Sequence, residues 1–317
     1  MILPTFQLIA KNVYLSGLLQ EVDFELVRMC YRPKLLFHKL GAIVVQVISI
    51  SSLKGGVGKT SITLGLASAA WAAGISTLVI DLDPHADTTT GLGIKHDTGS
   101  TDIGAMLRKP KQYRITEHTV PSGWMETDST DKASGTLHVV RGSAKTSLFE
   151  KVTTRRREVN RLATLLDGVQ GYDLVLLDCP PALNGVTRMA WAASTDVLLV
   201  AEPSLFSVAG TERTFRALDL FQREFAPRLK NTAVVVNRVR AASTEHKYRL
   251  AEMRRMFGNR MLDTQVPETS NWQQIQGAAW PVHAWPGDTA GTAARTFDEL
   301  LESLYKPTTA PKRARRS

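Results

Sequence analysis

Residues 54–60, which read Lys-Gly-Gly-Val-Gly-Lys-Thr, constrain the fold more than any other stretch of this chain. An apolar run at residues 44–50 precedes them and predicts a buried strand, and an Ala- and Leu-rich run at residues 61–73 predicts a helix. A glycine-rich turn between a strand and a helix can coil so that its backbone N–H groups point at an anion. The stretch therefore predicts a phosphate-binding loop. A plain strand-to-helix turn with an exposed lysine is the alternative.

The side chains of this loop have predicted contacts with a nucleotide. Lys59 would reach the β- and γ-phosphates, and the Thr60 hydroxyl would ligate Mg²⁺. The predicted nucleotide-binding residues of the loop are Gly55, Gly56, Val57, Gly58, Lys59, Thr60 and Ser61.

The start of the loop departs from the general pattern. That pattern has a glycine five residues before Gly58, where this chain has Leu53, and a second lysine, Lys54, follows. A lysine here marks the deviant Walker A motif, and at this point the chain resembles the ParA/MinD family of ATPases. In that family the extra lysine reaches across a dimer interface to the partner's nucleotide. The resemblance implies ATP and Mg²⁺ as cofactors, a homodimer with ATP, and Lys54 and Lys59 as catalytic residues. A solvated loop lysine is the alternative for Lys54.

Composition narrows the class of protein. A chain of 317 residues with a hydrophobic share of 43% is long enough for one large α/β domain or two small ones. Two cysteines, Cys30 and Cys179, give neither a disulfide framework nor a four-cysteine metal site, and a buried free thiol is expected at Cys179. No apolar run of membrane-spanning length and no signal peptide is evident. We therefore expect a cytoplasmic protein.

Continuous apolar runs alternate with helical patterns along most of the chain. This alternation predicts a doubly wound α/β fold, with helices on both faces of a mostly parallel sheet. The predicted strands are residues 44–51, 76–81, 137–140, 174–178, 197–201 and 233–237. The predicted helices include residues 61–73, 156–166, 208–223 and 245–257.

The chain is predicted to have three parts. Residues 1–43 show no clean periodicity. They are either an accessory, disordered extension or residues that are never translated, because the true start of translation lies near Val44 or Val45. Residues 44–305 would form the ATPase domain, and residues 306–317 a basic tail without fixed structure. Within the domain, residues 110–135 are rich in Ser, Thr and Gly and predict an irregular insertion near the surface.

Two aspartates, Asp81 and Asp83, follow the second predicted strand. Carboxylates two residues apart on a strand end would point the same way, into the crevice at the carboxyl end of the sheet. The family's switch I segment matches here, which implies that Asp83 positions the attacking water and that Asp81 orients Mg²⁺-bound water or the loop. His85 stands where the family usually has glutamine, a departure that could alter the hydrolysis rate. Both aspartates could instead be turn formers that end the strand.

Three further residues complete the candidate site. Asp178 closes an apolar strand, as in a Walker B motif, and would hold Mg²⁺ through water, although a strand-capping role is the alternative. Asn237 could pair with the adenine edge or serve as an ordinary turn residue. Pro267 lies in a segment that loosely matches the one that covers the base in the family.

A net charge of +9 predicts a polyanionic partner. The C-terminal pattern at residues 297–305 is a short helix end with acidic residues, and the tail beyond it has no large apolar residue. The C-terminus therefore lacks the basic amphipathic helix with large apolar residues that membrane insertion requires. This favours the DNA-binding ParA branch over the membrane-binding MinD branch. The candidate DNA contacts, each of which could also be a solvated arginine or lysine, are Arg238, Arg240, Lys247, Arg249, Arg254 and Arg255.

The resemblance implies a slow ATPase that binds DNA non-specifically, acts in chromosome or plasmid partitioning at the nucleoid, and is stimulated by a ParB-like or other cargo adaptor. A MinD-like or other cargo-positioning ATPase, acting on a membrane or a protein cargo, is the alternative. An electron-transfer ATPase that resembles the nitrogenase iron protein would need cysteines at a dimer axis. Cys30 and Cys179 do not supply that arrangement.

Overall fold

The computed structural model describes residues 43–95, 99–126, 135–306 and 308–309. The described residues belong to one compact unit that spans residues 41–317. Most of the predicted N-terminal extension, residues 1–42, and most of the predicted tail lie outside the described residues, so the expectations about them stay predictions.

An eight-stranded, mostly parallel sheet organises the described residues. Its order is β4-β5-β3-β6-β2-β7-β8-β9, and β4 at one edge pairs antiparallel with β5. Outside this sheet, β1 pairs antiparallel with β10. The doubly wound α/β prediction is confirmed. The strands are β1 (Ile43–Val44), β2 (Gln46–Ser51), β3 (Thr77–Asp81), β4 (Val120–Pro121), β5 (Leu137–Val140), β6 (Leu174–Asp178), β7 (Asp196–Ala201), β8 (Asn231–Val239), β9 (Met261–Pro267) and β10 (Thr308–Thr309).

Helices cover both faces of the sheet. They are α1 (Lys59–Ala72), α2 (Asp87–Gly91), α3 (Ile103–Arg108), α4 (Arg156–Val159), α5 (Arg161–Leu166), α6 (Gly185–Ala193), α7 (Leu205–Phe225), α8 (Thr244–Phe257), α9 (Trp272–Gly277) and α10 (Asp288–Leu304). Short 3₁₀ turns lie at Ile115–His118, Gly123–Glu126, Ala144–Phe149, Gly258–Arg260 and Val282–Ala284.

Strand β6 shows why its sequence is apolar throughout. Leu174 and Leu176 pack in the cluster that contains α1 and α10, whereas Val175 and Leu177 pack in the cluster on the other face with α3, α5 and α6. Successive side chains of a strand point to opposite faces, and both faces here are covered. A third cluster joins β7 and β8 to α7 and α8.

Several predicted elements have different bounds in the structure. The predicted helix at residues 156–166 is two short helices, α4 and α5, which meet at Asn160. The sequence did not predict β9, because this edge strand is only partly buried and contains the polar run Asp263-Thr264-Gln265. Edge strands carry weaker apolar patterns than strands covered on both faces.

The prediction of a surface insertion at residues 110–135 is wrong in part. Within the described residues of that segment lie β4 and two 3₁₀ turns, and Trp124 is 2% exposed. The Trp124 Nε1 donates to the Gly91 carbonyl at 3.0 Å. A single buried aromatic side chain thus anchors a segment whose overall composition is typical of a loop.

The C-terminal helix is longer than predicted and packs in the core. Helix α10 begins at Asp288, and its buried face lies against α1. The Phe297 ring fits against Gly65, where an added Cβ would lie 2.2 Å from ring atoms. Among the described residues, no helix is both long and apolar enough to cross a membrane.

Candidate functional site

The glycine-rich loop joins β2, a central strand, to α1, as the sequence predicts. Gly58 has φ 91°, a left-handed conformation that favours glycine, and precedes the first residue of α1. Asn237 Nδ2 donates to the Val57 carbonyl at 2.8 Å, and a Cβ on Gly58 would lie 2.3 Å from that same nitrogen. Asn237 of β8 therefore holds the loop, and its side chain comes so close to Gly58 that only glycine fits there.

The predicted Walker A and Walker B residues lie together. Lys59 is 7% exposed at the first position of α1. Thr60 Oγ1 donates to Asp178 Oδ2 at 2.8 Å, and Asp178 ends β6, the strand beside β2. Thr63 Oγ1 donates to the other carboxylate oxygen at 3.2 Å, and Thr88 Oγ1 also donates to Oδ2. Burial raises the pKa of Asp178, although the Thr88 and Thr60 hydroxyls and the Lys59 charge oppose this rise.

Asp81 and Asp83 differ in burial, although both carboxylates lie close enough to Asp178 to interact with it electrostatically. Strand β3 ends at Asp81, so the strand alternation does not extend to Asp83. Asp81 is fully buried and accepts from Thr89 N at 2.8 Å and from Thr89 Oγ1 at 2.7 Å. Burial, with the nearby Asp178 charge, raises the pKa of Asp81 to about 8. Asp83 is partly exposed, and its Oδ1 accepts from His85 N at 3.0 Å.

The donor set fits a magnesium ion that arrives with a nucleotide. Across the described ranges, no group of three or more His, Cys, Asp or Glu residues could hold a metal by itself. Magnesium characteristically takes one or two carboxylates and completes its shell with phosphate oxygens and water. The Thr60 hydroxyl and the Asp178 carboxylate form such an incomplete set, with Asp81 behind them on β3 in register with Asp178.

Lys54 lies at the mouth of the loop and pairs within its own subunit. Its Nζ donates to Glu202 Oε2 at 2.8 Å, and the Lys54 side chain is 40% exposed. Glu202 Oε1 accepts from Arg238 Nη1 at 2.9 Å, and the same nitrogen donates to the Gly56 carbonyl at 2.7 Å. One carboxylate therefore holds two cations over the exposed glycines of the loop.

Sequence reasoning missed Glu202, Thr63 and Thr88. Glu202 immediately follows β7, on the side of β2 opposite β6. The rule that singled out Asp81 and Asp178, a charged residue at the carboxyl end of a parallel strand, would also have found it. Thr63 and Thr88 had no comparable signal, because their role depends on which strand end their hydroxyls reach.

The remaining candidate nucleotide-binding residues, Asn237, Ser61 and Pro267, lie at different distances from the glycine-rich loop. Asn237 is 5% exposed and contacts the loop directly. Ser61 Oγ lies 3.2 Å from Gln276 Nε2, which links the start of α1 to α9. Pro267 ends β9 at the sheet edge, in register with Val239 of β8.

Most of the basic candidates for DNA contact have partners inside the chain. Arg238 lies at the loop mouth, and Arg240 is 3.6 Å from Glu268. Arg249 pairs with Glu245 and Glu252 on its own helix, and Arg254 pairs with Asp263. Lys247 and Arg255, both exposed on α8, make no ion pair with any described residue. The six candidates therefore do not form one uniform basic surface.

A Ser-His-Asp arrangement elsewhere in the fold does not form a second hydrolytic site. Ser68 Oγ lies 2.7 Å from His283 Nδ1, and His283 Nε2 lies 3.0 Å from Asp298 Oδ1. Ser68 is fully buried in the middle of α1. A nucleophile must reach its substrate, so these hydrogen bonds fasten α10 to α1 instead.

Comparison with known proteins agrees with this geometry. Residues 45–231, more than half of the chain, match the AAA domain family AAA_31. The chain is 28% identical over 263 residues to the chromosome partitioning protein ParA of Caulobacter vibrioides, an alignment that covers 80% of this chain and 92% of that protein. The chain belongs to the ParA/MinD family of P-loop ATPases.

Two solved structures share the fold. One is cobyrinic acid a,c-diamide synthase from Mycobacterium smegmatis with bound ATP analog and magnesium, with a TM-score of 0.64 and 19% identity over 84% of this chain and 100% of that one. The other is a chain of the MinC:MinD cell division protein complex of Aquifex aeolicus, with a TM-score of 0.62 and 19% identity over 84% and 99%.

Proposed function

We propose that this chain is an ATPase that closes into a homodimer with ATP, binds DNA non-specifically in that state, and acts in chromosome or plasmid partitioning. The observation that carries the proposal is the position of Lys54. Its ammonium group lies at the loop mouth, paired with Glu202 and 40% exposed. A second lysine there would contact a second subunit once it leaves Glu202, in addition to the buried Lys59 at the start of α1.

The residues of the loop suit phosphoryl transfer to water. Lys59 and the loop N–H groups would neutralise charge on the β- and γ-phosphates, and Asp83 would orient the attacking water. Thr60 and Asp178 would hold Mg²⁺, which when bound supplies further neutralisation of phosphate charge. Lys54 of the partner would add the last cation, so hydrolysis would be slow in the monomer and would depend on dimerisation.

DNA would be bound by exposed basic residues and released after hydrolysis. Lys247 and Arg255 are the exposed candidates without an internal ion pair among the described residues, and a basic tail follows the domain. Contacts of this kind address phosphates and carry no sequence information. We propose that the ATP dimer associates with the nucleoid in this way and that a ParB-like or other adaptor stimulates hydrolysis.

Binding to a random DNA duplex, measured with ATP and with ADP over a salt series, tests the proposal. We expect binding with ATP only, and we expect the double variant Lys247→Ala/Arg255→Ala, which removes four charges from the dimer, to reduce the salt slope by about 2 to 4. The variant Lys109→Ala/Lys111→Ala removes the same charge from other exposed positions and should leave the slope unchanged. Equal binding with ADP and ATP would contradict the proposal.

A cargo-positioning ATPase is the second candidate. Two observations favour it: the fold likeness to a chain of the MinC:MinD complex, and the internal pairing of most of the candidate DNA arginines. Capture experiments with the Asp83→Ala variant, which should hold ATP without hydrolysis, separate the candidates. A bound centromere-binding protein would support partitioning, and a different adaptor or anionic vesicles would support the alternative.

A further inference from the structure

The start of α7 exposes two large apolar side chains. Phe206 is 79% exposed, the highest value for a large hydrophobic residue in the described part of the chain, and Leu205 beside it is 52% exposed. The buried face of the same helix, which includes Val208, packs on β7 and β8. Adjacent exposed apolar side chains mark an interaction surface more often than isolated ones do.

This apolar pair is fixed to the residue that holds Lys54. The Glu202 backbone N–H donates to Ser207 Oγ at 2.8 Å, which ties the first turn of α7 to Glu202. The Glu202 carboxylate in turn accepts from Lys54 Nζ at 2.8 Å. The first turn of α7 and the loop mouth therefore share one rim of the molecule, and the exposed Gly55 and Gly56 belong to the same rim.

We propose that Leu205 and Phe206 form an apolar contact with a second copy of this chain in the ATP-bound dimer. The inference rests on the proposed function, because Lys54 can contact the partner's nucleotide only if this rim faces the partner. In a two-fold symmetric dimer the same patch is presented by both subunits. A buried aromatic side chain near charged groups is the typical anchor of such an interface.

The location of the patch argues for a second copy over another protein. Lys54 and the apolar pair are linked through one residue, Glu202, so a surface that covers the lysine also approaches Phe206. A different protein bound to Phe206 would compete with the dimer for this rim. The dimer would bury the aromatic ring when ATP is bound and expose it again after hydrolysis.

Sedimentation of Phe206→Ala with a non-hydrolysable ATP analogue, measured over a series of protein concentrations, tests the interface because it reports the fraction of dimer. The matched control is Leu220→Ala, since Leu220 is 69% exposed on the same helix about four turns away. We expect Phe206→Ala to weaken the dimer by about tenfold or more, because two copies of the ring are lost. We expect the dimer dissociation constant of Leu220→Ala to stay within about twofold of that of the parent protein, because an exposed side chain outside the interface contributes little to dimer affinity.

Affinity of the monomer for a fluorescent ATP analogue and the unfolding transition should be unchanged in both variants, which excludes a folding defect. A Phe206→Ala protein that dimerises like the parent, or an equal loss in Leu220→Ala, would overturn the interface while leaving the Lys54 dimer intact. If Phe206→Ala dimerises normally but no longer binds an adaptor protein, the patch belongs to that adaptor and the proposal is also overturned. A parent protein that stays monomeric with the analogue would instead contradict the proposed function.

Discussion

Lys54 Nζ lies 2.8 Å from Glu202 Oε2, so the lysine that distinguishes this loop is paired within its own subunit. The same carboxylate holds Arg238, which also donates to the Gly56 carbonyl of the loop. For Lys54 to reach a partner's nucleotide, it must leave Glu202. In the proposed dimer, the partner's nucleotide would therefore compete with Glu202 for one ammonium group.

This competition predicts the effect of Glu202→Gln. The amide keeps the shape of the side chain but removes its charge. Lys54 is then held less strongly, and binding of its ammonium group to the partner's phosphates is favoured. The pair is partly solvated, and its contribution is about 1 kcal/mol or less. A symmetric dimer releases two such pairs, so we expect ATP-dependent dimerisation at up to about thirtyfold lower protein concentration. Unchanged or weaker dimerisation in sedimentation experiments would show that Glu202 does not restrain Lys54.

The loop backbone predicts a difference between two glycines. A Cβ on Gly58 would lie 2.3 Å from Asn237 Nδ2, whereas one on Gly56 meets no atom within 4 Å. Both residues have positive φ, so alanine costs about 1 kcal/mol of backbone strain at either position. Only Gly58→Ala adds a collision. We expect it to abolish binding of a fluorescent ATP analogue, with Gly56→Ala retaining it at reduced affinity; similar losses in both would refute the steric account.

The contact between α1 and α10 predicts a loss of stability. An alanine at Gly65 would place its Cβ 2.2 Å from the Phe297 ring, and overpacking of this kind costs about 1–3 kcal/mol. Gly210, inside α7, has no such neighbour within 4 Å, and alanine there should raise stability by about 1 kcal/mol through helix propensity. Denaturant unfolding measures both variants. A Gly65→Ala protein as stable as the parent would mean that the helices are less closely packed than described.

The thiol of Cys179 predicts a pattern of chemical reactivity. The side chain is fully buried behind the candidate site, and burial raises its pKa to about 12. At pH 8 a thiol with this pKa is thiolate in only about one molecule in ten thousand. In a Cys30→Ser variant, Cys179 is the remaining thiol. A chromogenic disulfide reagent should therefore titrate no thiol in the folded protein and one thiol per chain after denaturation. Rapid reaction of the folded variant would contradict the burial.

The sequence predicted the parallel core because its strands are apolar throughout, as in β6, and each is covered on both faces. It predicted Thr60 and Asp178 as parts of one site from the Walker A and Walker B patterns; Thr60 lies in the first turn of α1, and Asp178 ends β6 beside β2. It did not predict β9, whose partly polar sequence is typical of an edge. It could not place Arg238 either, since a conformation with φ 57° turns this arginine back onto the loop, and no local pattern encodes that contact.

The pairing of Asp81 with Thr89 was equally hidden. Both strand-end aspartates interact electrostatically with Asp178, but the end of β3 falls between them and only Asp81 is fully buried. Side-chain direction after a strand depends on the turn that follows, and the turn here places the Asp83 N–H on Asp81 Oδ1 at 3.1 Å. Tertiary hydrogen bonds thus set the different surroundings of the two carboxylates, and the roles assigned to them stay predictions.

Mixing two inactive variants tests most directly whether Lys54 acts on the partner's nucleotide. Lys54→Ala lacks the lysine but keeps Asp83, and Asp83→Ala lacks the water-positioning carboxylate but keeps the lysine. A mixed dimer has one complete site, formed by Asp83 of one subunit and Lys54 of the other. With random pairing in an equal mixture, we expect hydrolysis to return to about a quarter of the parent rate. If Lys54 acted within its own subunit, no mixed dimer would have a complete site, and a mixture as inactive as either variant alone would contradict the account.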